Sequence, residues 1–84
     1  MLFVFPRPER YSFWMKNTLI PLDIIWLNSD RSVVHLETNV PACVHDPCPN
    51  YAPVQPALYV LEVNAGSAQQ FGIKKNDTAK ILLR

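Results

Sequence analysis

The residues best equipped for chemistry fall in three groups. Trp14-Met15-Lys16-Asn17-Thr18 sets a large aromatic beside an ammonium, an amide and a hydroxyl. In an extended strand Trp14 and Lys16 project from one face, offering a stacking surface and a cation to a sugar, peptide or small anion. The same pattern has a structural reading. Trp14 would then be core and Lys16 would snorkel, while Asn17 and Thr18 would hydrogen-bond a bend.

Asp23 and Glu62 form the second group. Asp23 stands in an apolar stretch, on the side of Ile25 and Leu27. A carboxylate there is desolvated unless paired, so it needs Lys16 or a backbone amide. Glu62 is similarly placed between Val60 and Asn64 on one strand face. Two carboxylates near one lysine would make either a buried structural network or a general acid and base. The third group is Cys43-Val44-His45-Asp46-Pro47-Cys48, which His35 and Glu37 on the preceding strand could approach. Thiolates with imidazole suit zinc, although the Cys-x₄-Cys spacing is loose and lacks a second ligand pair. A disulfide or two free thiols account for the same residues.

Other chemistry is poorly represented. There is no glycine-rich phosphate loop and no nucleophile elbow, and the only glycines are Gly66 and Gly72. Ser12, Ser29, Ser32 and Ser67 lie in no arrangement that suggests activation. No cofactor motif is present. Lys and Arg number 8 against 7 Asp and Glu. That balance gives no basic face for neutralising several phosphates, so a nucleic-acid partner is not expected. No apolar run approaches the roughly 18–20 residues of a membrane-spanning helix. Met1–Phe5 is apolar but has no basic residues ahead of it and is not a signal peptide.

The elements that must position these groups are mostly strands. Eighty-four residues make one domain, 1–84, with a small core. Met1–Phe5 reads as a strand stopped by Pro6-Arg7-Pro8, and Tyr11–Met15 as a second, with Tyr11, Phe13 and Met15 on one face and Ser12, Trp14 and Lys16 on the other. Leu22–Leu27 and Ser32–Val40 make a hairpin turning at Asn28-Ser29-Asp30-Arg31. On the return strand Val34, Leu36 and Thr38 share one side, and Val33, His35 and Glu37 the other. Pro41 to Pro56 holds five of the eight prolines and is a long loop. Leu58–Val63 is a strand. Asn64 is expected to cap a helix over Ala65–Phe71 that ends at Gly72, with Ile73 making the following apolar contact. A last strand is expected at Thr78–Leu83. The expected fold is mainly β, a small barrel or sandwich of about six short strands with one short helix.

With these elements placed, the chain resembles the family known as domain of unknown function 192. The likeness is carried by Phe13-Trp14-Met15-Lys16-Asn17-Thr18, Pro21-Leu22-Asp23, Val34-His35, Tyr59-Val60-Leu61-Glu62-Val63-Asn64-Ala65-Gly66, and Phe71-Gly72-Ile73 with Asp77. It implies a β-rich domain whose members carry a further strand and helical segment upstream, often behind a secretory or lipoprotein leader. By that pattern the chain lacks its N-terminal segment. Export of the family implies a periplasmic or extracellular setting, and with it a Cys43–Cys48 disulfide. Such a bridge closes a ring of six residues and stabilises by about 2 kcal/mol in the chain-entropy model.

Three functions follow as expectations. The first is a non-catalytic envelope module binding a small molecule, glycan or peptide through Trp14, Lys16, Asn17, Thr18, Asp23, Glu62 and Asn64. The second is a carbohydrate-acting enzyme using Asp23 and Glu62, which requires their carboxyl groups to reach one substrate atom. The third is a metal module at Cys43, His45 and Cys48.

Overall fold

A computed structural model describes residues 1–15 and 18–77. Lys16, Asn17 and the strand expected at Thr78–Leu83 lie outside the described residues. Among the described residues, six strands and one short helix follow in the order β1 (Leu2–Glu9), β2 (Phe13–Trp14), β3 (Leu22–Leu27), β4 (Val33–Val40), β5 (Asn50–Tyr51), β6 (Ala57–Asn64) and α1 (Ser67–Gln70). The main sheet is antiparallel and ordered β1-β6-β3-β4, while β2 and β5 pair as a separate two-stranded sheet. The expected β-rich class therefore holds as an open two-sheet arrangement. Among the described residues the sheet is not closed into a barrel, since β1 and β4 stand at opposite ends of the strand order and do not pair.

The core lies on both faces of the main sheet. Ile24, Trp26, Val40 and Val60 face the small sheet, which contributes Phe13, Met15 and Tyr51. Ile25, Leu27 and Val33 form the opposite face with Leu61, Val63 and Ile73. This two-sided burial explains why Ile24-Ile25-Trp26-Leu27 is an unbroken apolar run rather than an alternation: each of the four residues is at most 1% exposed.

Two bulges in β4 set the geometry that matters below. Trp26 pairs with His35 and Leu27 with Val33, so Val34 is an extra residue on the β4 side. It turns toward Trp26, and the expected facing of Val33 and Val34 is exchanged. Leu22 pairs with Val40 and Ile24 with Glu37, so a second extra residue falls at Thr38-Asn39. Asn39 adopts a left-handed φ of 52° there.

Other boundaries moved for local reasons. β1 continues through Pro6 and Pro8 because an edge strand tolerates missing donors, and its pairing with β6 shifts register between Val4 and Glu9. The helix is shorter than Ala65–Phe71. Asn64 stays in β6 opposite Leu22, and Gly66, at φ 93°, takes the cap position in place of Asn64. The helix end is as expected. The Gly72 amide donates to the Gln69 carbonyl at 3.2 Å and the Ile73 amide to the Ala68 carbonyl at 2.8 Å, the Schellman pattern.

The Asn28–Arg31 turn is also present. Asn28 Oδ1 accepts from the Asp30 and Ser32 amides, and the Ser32 amide also donates to Asp30 Oδ1 at 2.9 Å. The Ser32 hydroxyl and amide, with help from Asn28, hold the Asp30 carboxyl below the usual carboxylate range. Its folded-state pKa is therefore depressed, so the turn is supported above the ordinary carboxylate pKa and loosens as pH falls through the folded value. An NMR titration is expected to give Asp30 a midpoint below that of an unstructured aspartate, and Ser32→Ala should move it upward. An unchanged midpoint in the variant would contradict the assignment.

Candidate functional site

Asp23 shows most clearly how the sequence signatures are used. It is fully buried, on the Ile25–Leu27 face of β3 and opposite Val63. One carboxylate oxygen accepts from the Asn39 amide at 2.8 Å, and the other from the Ala68 amide at 2.8 Å. The first donor is freed by the bulge in β4. The second is an N-terminal amide of α1, whose own cap residue, Gly66, has no side chain to satisfy it. Asp23 thus caps a helix 45 residues away in sequence. Beside it, the Ala65 amide donates to the Pro21 carbonyl at 3.3 Å. Pro21-Leu22-Asp23 and Asn64-Ala65-Gly66 are two halves of one junction.

Glu62 lies elsewhere. It pairs with Ile24 and so shares the face of Trp26 and Val60, whereas Asp23 points from the other side of the sheet. The two carboxyl groups cannot reach a common substrate atom, and the acid/base pair expected from the sequence is not assembled. Glu62 is half-buried and its carboxylate makes no hydrogen bond or ion pair among the described residues. Asn64 follows on the same face, exposed at the end of β6.

Trp14 and Thr18 belong to the segment that covers this face. Phe13 and Met15 point into the core, with Met15 1% exposed, while Trp14 between them is 54% exposed. Trp14 pairs with Asn50 in the β2–β5 ladder, and Thr18 makes an isolated bridge with Cys43. The inward partner beneath them is Trp26, whose indole Nε1 donates to the Tyr11 carbonyl at 3.0 Å and whose ring meets Phe13 edge-on at 6.2 Å. Tyr11 stacks on Phe5 and donates its hydroxyl to the Arg7 carbonyl. Desolvation, then the nearby Glu9 charge, push its phenol pKa up.

The sulfurs of Cys43 and Cys48 are 2.17 Å apart, a disulfide pair. His35 and Glu37 turn toward each other instead of toward the cysteine loop, with 2.7 Å between Nε2 and Oε2, and the His35 ring meets Trp26 edge-on. Among the described residues no group of three or more His, Cys, Asp or Glu is placed to hold a metal. The metal module at Cys43, His45 and Cys48 thus has no assembled ligand set.

Of the expected ligand residues, the structure brings Trp14, Thr18, Glu62 and Asn64 to one side of the main sheet and puts Asp23 on the other. Lys16 and Asn17 are outside the described residues. The acceptor role of Asp23 was foreseeable as a need for a partner. Its actual donors were not, since one arises from a bulge and the other from a helix distant in sequence.

The described residues thus define a small open two-sheet β domain with a capped single-turn helix. The chain belongs to the family of domain of unknown function 192, described as "Uncharacterized ACR", whose model matches residues 1–81. It is similar to a solved protein of unknown function from Novosphingobium aromaticivorans, with 38% identity and a TM-score of 0.83 over 93% of this chain and 54% of that one. It is also similar to a solved protein from Sinorhizobium meliloti titled a "putative transcription regulator", with 35% identity and a TM-score of 0.81 over 93% of this chain and 58% of that one. The chain therefore spans little more than half the length of either. No curated protein matches it.

Proposed function

We propose that this domain is a non-catalytic binding module of the cell envelope, recognising a glycan or peptide on the side of the main sheet covered by β2 and β5. The observation that carries this reading is Trp14. An indole more than half exposed between two inward-facing residues is a stacking platform for a sugar face or an apolar side chain. Thr18, Glu62 and Asn64 add a hydroxyl, a carboxylate and an amide on the same side, with Lys16 and Asn17 as the polar residues between Trp14 and Thr18 in sequence. The separation of Asp23 from Glu62 favours binding over carbohydrate hydrolysis. A disulfide pair supports an extracytoplasmic setting, where such bonds persist. Among the described residues, no helix is long and apolar enough to cross a membrane. The near-even charge balance favours a ligand other than nucleic acid.

The test is a fluorescence titration with soluble glycan and peptide fragments of the bacterial envelope. Trp14 is exposed and Trp26 fully buried, so a bound ligand should perturb mainly the Trp14 emission. Trp14→Ala is expected to weaken binding by about tenfold or more, or roughly 1.4 kcal/mol, with thermal stability little changed. Unaltered affinity in Trp14→Ala for every fragment that binds would reject this surface.

A further inference from the structure

Two chain segments meet at the end of the main sheet where Leu22 pairs with Val40 on one side and Asn64 on the other. Residues 18–21 lead into β3 and residues 41–43 lead out of β4, and the bridge between Thr18 and Cys43 closes the strip between them. No charged side chain occurs in residues 18–22 or 40–44. What the strip shows to solvent is apolar. Leu19 is 82% exposed, more than any other large apolar side chain among the described residues, with Ile20 at 53% and Val44 at 51%. Pro21, Pro41 and Ala42 are exposed beside them. A lone exposed leucine is ordinary, but a contiguous rim of this kind without charge marks a contact surface.

The size and the backbone of the rim decide what it contacts. Leu19, Ile20 and Val44 present on the order of a few hundred Å² of apolar surface, whereas each partner in a stable protein–protein interface buries about 800 Å². Such an interface also carries about ten hydrogen bonds. In residues 18–22 and 40–44, Thr18 is the only side chain able to donate a strong one. A second copy or a folded partner is therefore poorly served. A bilayer asks for the opposite, namely apolar side chains without charge and few unpaired main-chain groups. Pro21 and Pro41 carry no N–H to be stranded there, and the Pro21 carbonyl already accepts from the Ala65 amide at 3.3 Å. Their fixed φ angles also leave the rim with less freedom to lose on docking.

We propose that this rim docks the domain on a lipid bilayer, with Leu19 and Ile20 entering the boundary between headgroups and acyl chains and Val44 beside them. The contact is driven by burial and not by charge. Asp46 stands exposed two residues beyond Val44, so anionic lipid gives no advantage. Binding is weak and reversible, because the rim buries less than a single myristoyl chain, whose partition constant is about 10⁴ M⁻¹. Trp14, Glu62 and Asn64 take no part, and the inference does not rest on the binding reading above.

The test is flotation of the whole chain with phosphatidylcholine vesicles. A partition constant on the order of 10²–10³ M⁻¹ is expected, so that half the protein floats at about 1–10 mM lipid. The bound fraction should change by less than about twofold between about 0.05 and 0.5 M salt, or when a third of the lipid is phosphatidylglycerol. Leu19→Ser is expected to lower the constant about fivefold or more, and Leu19→Trp to preserve or raise it, because an indole suits the interface. Val54→Ser is the control. Val54 is 57% exposed but lies before Ala57, at the opposite end of β6 from Asn64, and its loss should leave flotation unchanged. Absence of the parent protein from the floating fraction at about 10 mM lipid would overturn the proposal, as would equal partition of the parent and Leu19→Ser. A dimer in sedimentation equilibrium that Leu19→Ser dissociates would also overturn it and assign the rim to a second copy.

Discussion

Replacing Asp23 by alanine is expected to destabilise the domain by about 3–5 kcal/mol, measured as a fall in the denaturation midpoint in urea. The carboxylate is fully buried, and its two oxygens accept from the Asn39 and Ala68 amides at 2.8 Å each. Hydrogen bonds to a charged acceptor contribute about 1.5–3 kcal/mol each, and removing the acceptor leaves two donors without partners. Asp23→Asn separates charge and geometry from volume. Its carboxamide oxygen can still accept from one amide, but its NH₂ group must face the other N–H. A loss of about 2–4 kcal/mol is expected, with little change in m-value. For a chain of 84 residues total stability is on the order of 4–13 kcal/mol, so either change threatens folding near physiological temperature. If both variants melted within a degree or two of the parent, Asp23 would not be the junction described above.

A comparable loss is expected at Trp26. The side chain is fully buried between the two sheets, and its Nε1 donates to the Tyr11 carbonyl at 3.0 Å. Trp26→Ala opens a large cavity under Phe13 and His35 and should cost about 3–5 kcal/mol. Trp26→Phe keeps most of the ring volume but leaves the Tyr11 carbonyl without its donor, with a smaller loss of about 1–2 kcal/mol. The ordering of the two variants in chemical denaturation is the check. Equal losses would mean that the hydrogen bond, not the packing, dominates.

These residues also show what could be read along the chain. Alternation put Phe13 and Met15 on one face and Trp14 on the other, and showed the strand nature of β3 and β6, because those signals are local; which face turns inward came from the packing of the two sheets. The turn at Asn28–Arg31 and the Schellman end at Gly72-Ile73 were legible for the same reason: side-chain chemistry and φ preference act within a few residues. What failed depended on pairing across the sheet. The bulge at Val34 reversed the facing of Val33 and Val34, and Asn64 was kept from capping α1 by its ladder position opposite Leu22. Barrel closure also depends on edges finding each other, which no local pattern encodes.

The candidate site divides the same way. That Asp23 needs a partner followed from its apolar surroundings, but not which partner. That Trp14 is exposed and not core depends on β2 lying at the outer surface of a thin second sheet. The separation of Asp23 and Glu62 follows from one register fact, the pairing of Ile24 with Glu62. The residues of the family signature accordingly divide between two tasks. Pro21-Leu22-Asp23 and Asn64-Ala65-Gly66 join strand to helix, while Trp14 faces outward and Thr18 bridges to Cys43 of the disulfide loop.

The central claim is that Asp23 serves the fold by binding two main-chain amides, and its most direct measure is hydrogen exchange at Asn39 and Ala68. In the parent protein both amides are expected to exchange as slowly as the ladder amides of β3, although one lies in a bulge and the other in the first turn of a very short helix. In Asp23→Asn, under conditions where β3 stays protected, at least one of them should exchange about a hundredfold faster. Exchange of both at exposed-loop rates in the parent protein would contradict the account and return Asp23 to the list of residues available for chemistry.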